Sequence, residues 1–189
     1  MRRNALLFVP VILAQLAVPA WMIHRHERVL HEGTAFKFRT APIDPTDPFR
    51  GEYVMLDFAA EQGSWNCPAA TMEGSDQEVF ATLGTDSAGF ATITALRATE
   101  PTEPHLTVGI YSYSVDSLHN VQRVSLPFDR FYMPEGEGAR TQDLMTPQWT
   151  EGQQQQPLEA YALVRVHDGE AVMEDLIIGG RPVQEWMAR

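Results

Sequence analysis

At 189 residues the chain has room for one domain and an appendage. Hydrophobic residues at 44% and charged residues at 21% are globular proportions, which excludes disorder throughout. A net charge of -11, with Lys37 the one lysine, argues against nucleic acid as a partner, because neutralising phosphates needs clustered Lys and Arg.

Residues 5–23 carry no charge, and Gln15 is their one polar side chain. As a helix they would extend roughly 28 Å, close to the hydrocarbon thickness of a bilayer. Arg2 and Arg3 precede the run, and Trp21 stands where an interfacial anchor belongs. Two readings are open: a permanent single-span anchor over residues 1–23, or a signal peptide cleaved near Val18-Pro19-Ala20. The apolar run continues past Ala20 through Ile23, which favours the anchor. Residues 24–32 then read as a charged juxtamembrane linker. Its His24, His26 and His31 lack metal-ligand spacing, and no metal or cofactor is expected.

From residue 33 to residue 189 the pattern is that of strands. Phe36 and Phe38 alternate with Lys37 and Arg39. Pro42, Pro45 and Pro48 stiffen an acidic loop bearing Asp44 and Asp47, and that loop turns on Arg50-Gly51. Beyond Glu52, Val54, Leu56 and Phe58 share one face while Tyr53, Met55 and Asp57 share the other. An acid heading an apolar face needs a partner, for which Arg50, Arg39 and loop N–H groups are candidates. Residues 59–77 read as a loop with one helical turn.

Two more strands, at 78–83 and 89–97, flank a turn. The apolar phase from Leu106 to Tyr113 shifts, implying a bulge or a strand covered on both faces. Val124, Leu126, Phe128, Arg130 and Tyr132 read as one face, ending near Glu135-Gly136. Residues 139–145 are short but helix-compatible, and the glutamine-rich 148–157 reads as a solvated loop. Asp168-Gly169 between two apolar runs marks a tight hairpin. The expected fold is mainly β: an antiparallel sheet curled into a barrel-like or sandwich core, preceded by one transmembrane helix.

The run Gly51-Glu52-Tyr53-Val54-Met55-Leu56-Asp57-Phe58 resembles the signature of the bacterial GDYXXLXY family. Glu52 replaces the signature's Asp and Phe58 its second Tyr, while Gly51, Tyr53 and Leu56 agree. The Asp-Pro-x-Asp-Pro-Phe-Arg lead-in, the later Arg130-to-Gly138 segment and the closing hairpin extend the resemblance over most of residues 30–183. It implies a small protein held in the bacterial inner membrane by one span, with its C-terminal domain on the periplasmic side and a multi-span membrane protein as partner. No catalytic mechanism comes with it.

Two functions fit these residues. One is a non-catalytic interaction or accessory domain in which Arg50 with Glu52, and Arg130 with Glu135, fix loops as ion pairs. The other is a hydrolase or ligand-binding domain in which those four side chains converge on an open cleft. The chain has no Ser-His-Asp order, Gly-rich phosphate loop or His-Glu-x-x-His string, which favours the first.

Overall fold

A computed structural model describes residues 2–41, 53–71, 77–134, 136–145, 148–150 and 153–188. Of residues 2–11, 41, 148–150 and 153–155 only the backbone is described. Helix α1 (Arg2–Glu32) runs into β1 (Thr34–Ala41). The signature segment supplies β2 (Tyr53–Met55) and β3 (Asp57–Phe58), then a 3-10 turn at Ala59–Glu61 and β4 (Gln62–Asn66). There follow β5 (Gln77–Thr85), β6 (Ala91–Arg97), β7 (His105–Ile110), β8 (Asn120–Arg123) and β9 (Arg130–Tyr132). The last part holds α2 (Gly138–Met145), β10 (Gln148–Thr150), β11 (Gln153–Gln155), β12 (Ala160–His167), β13 (Glu170–Ile178), β14 (Arg181–Pro182) and α3 (Val183–Met187).

The body is mainly β and its strand pairs are antiparallel, as alternation predicts. Among the described residues it is not one curled sheet, and no barrel closes. Among the described residues the strands form a five-stranded sheet ordered β14-β13-β12-β1-β3, a three-stranded sheet β6-β5-β7, and the pairs β2-β9, β4-β8 and β10-β11. The β10-β11 pair replaces the expected solvated loop with a hairpin, Trp149 opposite Gln154. Register in the large sheet sets Phe38 opposite Ala162 and Phe36 opposite Val164, so all four face inward, 8% exposed or less.

Phe38, Phe58 and Phe128 meet at the centre, with ring centroids 5.1 to 5.9 Å apart and edges against faces. Such edge-to-face pairs add about 0.5–1.5 kcal/mol each beyond the area they bury. Cys67 is buried at 1% exposure, as a lone small hydrophobe should be.

The phase shift after Ile110 has a simpler cause than a bulge: β7 stops there, and a 3-10 turn takes over at Ser112–Ser114. At the far end, Asp168 (φ 47°) and Gly169 (φ 78°) both adopt the left-handed conformation that a two-residue hairpin turn demands.

Helix α1 has two unlike halves. From Ile12 to Ile23 its described side chains are exposed all round, apolar ones included; Leu16 stands at 61% and Ile23 at 64%. The charged stretch after Ile23 continues the helix unbroken to Glu32, and Val29, 3% exposed, packs into the body. Among the described residues, no helix is long and apolar enough to cross a membrane.

Candidate functional site

The signature strand is built as its alternation dictates. Val54, Leu56 and Phe58 are 1 to 2% exposed, and Met55 and Asp57 face outward. What the alternation could not say is the partner. β2 pairs with β9, with Tyr53 opposite Tyr132, Val54 opposite Phe131 and Met55 opposite Arg130. Just beyond, the Leu56 N–H donates to the Asp129 carbonyl at 2.7 Å. The two segments singled out in the sequence are therefore neighbours.

Their shared outer face carries Tyr53, Met55, Arg130 and Tyr132. The Arg130 guanidinium lies 5.4 Å from the Tyr53 ring centre, and the two tyrosine rings are 6.0 Å apart at 55°. Asp129, with Oδ1 3.4 Å from Arg130 Nε, and then the Tyr132 hydroxyl hold Arg130 further toward its charged form. Tyr132 is 73% exposed and Met55 44%. Aromatic rings, Met and Arg on one exposed face are the residue types that recognition surfaces favour.

The expected single face from Val124 to Tyr132 does not hold. Val124, Leu126 and Phe128 are buried, but Arg130 and Tyr132 point to solvent. The alternation breaks at Asp129, so Phe131, half-buried, is the residue that packs inward. Gly136 follows at φ 92°, a turn geometry that disfavours any side chain. Asp44, Asp47, Arg50, Gly51, Glu52 and Glu135 lie outside the described residues, so of the four charges in the cleft hypothesis only Arg130 is placed. The acid beside it is Asp129.

Sequence reasoning missed Glu61, in what read as a loop. Its side chain is only 10% exposed, and its Oε1 accepts from the Leu126 N–H at 3.1 Å. Its backbone carbonyl accepts from the Val124 N–H, and Arg123 Nη2 comes within 3.9 Å of Oε2 and 3.7 Å of Asp57 Oδ1. Burial pushes the Glu61 carboxyl above the usual range, more than hydrogen bonds from the Leu126 and Phe58 backbone and the Arg123 charge pull it down. The one available signal was an acid three residues past the buried Phe58. Among the described residues no group of three or more His, Cys, Asp or Glu is placed to hold a metal ion.

The geometry defines a class: a mainly β body on a helical stalk, with an aromatic and arginine face beside its signature strand. The chain belongs to the GDYXXLXY protein family, whose model matches residues 15–176. That span takes in the signature strand, β9 and most of the closing hairpin. No curated protein and no solved structure matches it.

Proposed function

We propose that the chain is a membrane-tethered accessory protein: residues 5–23 enter the bacterial inner membrane, and the β body works on the periplasmic side by contacting another membrane protein. One observation carries this reading. Ile12, Leu13, Leu16, Val18, Trp21, Met22 and Ile23 are each at least half exposed and distributed round the helix. A solvated helix normally hides such residues along one stripe, whereas a helix apolar all round belongs in an apolar medium. The apolar run also reaches back to Ala5, before the first described side chain. Trp21 and Arg25, with the guanidinium 5.1 Å from the indole centre, suit the boundary between tails and headgroups.

The contact surface proposed is the outer face of β2 and β9, through Tyr53, Met55, Arg130 and Tyr132. The experiment is in two parts. The full-length chain, expressed in bacteria, is expected in the carbonate-washed membrane pellet, with its C-terminus protease-sensitive only after the outer membrane is opened. A photo-crosslinker replacing Tyr132 is expected to give one discrete membrane-protein adduct, and the same probe replacing Ser87, on the β5–β6 turn, none. Recovery of the intact chain in the carbonate supernatant would sink the tether, and identical adducts from both positions would sink the docking face.

A further inference from the structure

The hairpin turn Asp168-Gly169 stands between the body and the stalk. On one side the Gly169 carbonyl accepts from the Thr107 N–H at 3.2 Å, and the glycine lies against His105, where a Cβ would come within 3.2 Å of Nε2. On the other side the turn meets the last two turns of α1 almost entirely through charge. Arg25 pairs with Glu170, Arg28 reaches Asp168 at 4.0 Å, and His167 Nε2 sits 3.7 Å from Glu32 Oε2 and 3.3 Å from Asp168 Oδ2. Arg28 Nε also donates to Glu32 at 2.9 Å, and that contact holds the Glu32 carboxyl below its usual range.

Apolar attachment of the stalk here is slight. Val29 is buried and Leu30 half-buried, and the helix hands over to β1 through the single residue Gly33, whose N–H donates to the Val29 carbonyl. With so little area buried, contacts that are individually weak decide the angle at which the stalk leaves the body.

We propose that the Asp168-Gly169 turn and the C-terminal end of α1 form a charge-operated joint, in which protonation of His167 between Glu32 and Asp168 locks the stalk in the orientation seen here. The Nε2 atom of His167 is buried without a hydrogen-bond partner. Two carboxylates flank it, and neither can donate when ionised; a neutral ring with its N–H on Nε2 offers them one uncharged donor, whereas the imidazolium sets a positive charge between them and strengthens both contacts. The other charged groups facing this point are Arg28, which neutralises Glu32 and Asp168 in part, His24, which acts on the Glu32 carboxyl, and Glu170 of β13, opposite His167 in the strand pair and bound by Arg25. From β7 the turn is faced by His105, with Glu100 Oε1 3.4 Å from its Nε2. Histidine is the side-chain type whose charge changes nearest neutral pH. The joint therefore tightens as pH falls through the imidazole range. It loosens with salt, because its side chains are largely solvent-accessible. The joint stands whether or not the stalk enters a bilayer.

The test uses the full chain in detergent micelles, spin-labelled at Ala17 on the stalk and Ser87 on the body, with buried Cys67 left unlabelled. Pulsed-dipolar distance distributions are read across the imidazole range at low and high ionic strength. The wild type is expected to show its narrowest distance distribution at the acidic end, broadening toward the basic end as the ratio of locked to unlocked molecules falls by roughly one-and-a-half- to fivefold, the factor that a solvated ion pair supports. His167→Asn and Glu32→Gln are expected to abolish that pH response, and Glu32→Gln, a change at an exposed side chain, guards against a simple folding failure at His167. A distribution that ignores pH in the wild type overturns the joint. So does a response that survives unchanged in either variant.

Discussion

The outer half of the stalk and the signature strand are both apolar, and they meet opposite fates. Leu16 in the stalk is 61% exposed; Leu56 in the strand is 2% exposed. The strand alternates, so one face can be given to the core and the other to water. The stalk has apolar residues on every side, so no single docking face could cover it. Hydrophobicity alone therefore does not mark the core of this protein. Its period does.

The comparison can be broken most sharply at Phe58. Truncation to Ala opens the three-ring centre and is expected to lower unfolding free energy by about 3–5 kcal/mol in chemical denaturation. An equal loss from Leu16→Ala would erase the distinction between the two regions. A charge in the stalk makes the complementary test. Leu16→Lys should leave the denaturation midpoint of the body unchanged and, for a stalk that enters the membrane as proposed, raise the cost of insertion by about 2.5–3.5 kcal/mol, seen as a shift from the carbonate pellet to the supernatant. At the hairpin turn, Gly169→Ala must hold an L-residue at φ 78° against the His105 ring, an expected cost of about 1–2 kcal/mol in thermal unfolding.

Glu61 predicts a slope. Its folded-state pKa is raised above the unfolded value, so the folded chain holds the proton more tightly. Its contribution is then most favourable below the ordinary carboxylate range and is lost as pH rises through the raised value. Glu61→Gln should flatten that part of the stability-against-pH curve, and an unchanged slope would refute the assignment. The smallest effect belongs to Tyr132→Ala. As an exposed ring it should move stability by no more than about 0.5 kcal/mol while removing the partner contact proposed for its face.

Local chemistry made the signature strand's inward face, the Asp168-Gly169 turn and the short α2 legible from sequence alone. Each depends on neighbours a few positions away. The pairing of β2 with β9 was not legible, because nothing in either three-residue strand names its partner. Nor was the reversal at Arg130 and Tyr132. An alternating string looks continuous until a backbone group, here the Asp129 carbonyl, is drawn to another strand. Glu61 was missed for the opposite reason: a lone acid among loop residues ordinarily reads as solvated, and only tertiary donors at Val124 and Leu126 reveal its burial. At the signature corner, sequence marked the residues and structure supplied the adjacency of Tyr53 with Arg130 and Tyr132.

Gly33 is the whole of the connection between helix and first strand, and this leaves the assembly no slack. The nine helical residues from His24 to Glu32 rise about 14 Å, and the hairpin turn of the body lies along them through Arg25 and Arg28. If the stalk is planted in a bilayer, the body can tilt but cannot wander. Whatever it touches must then come close to the membrane surface, and any pull on the body reaches the rod through Gly33 and those ion pairs together.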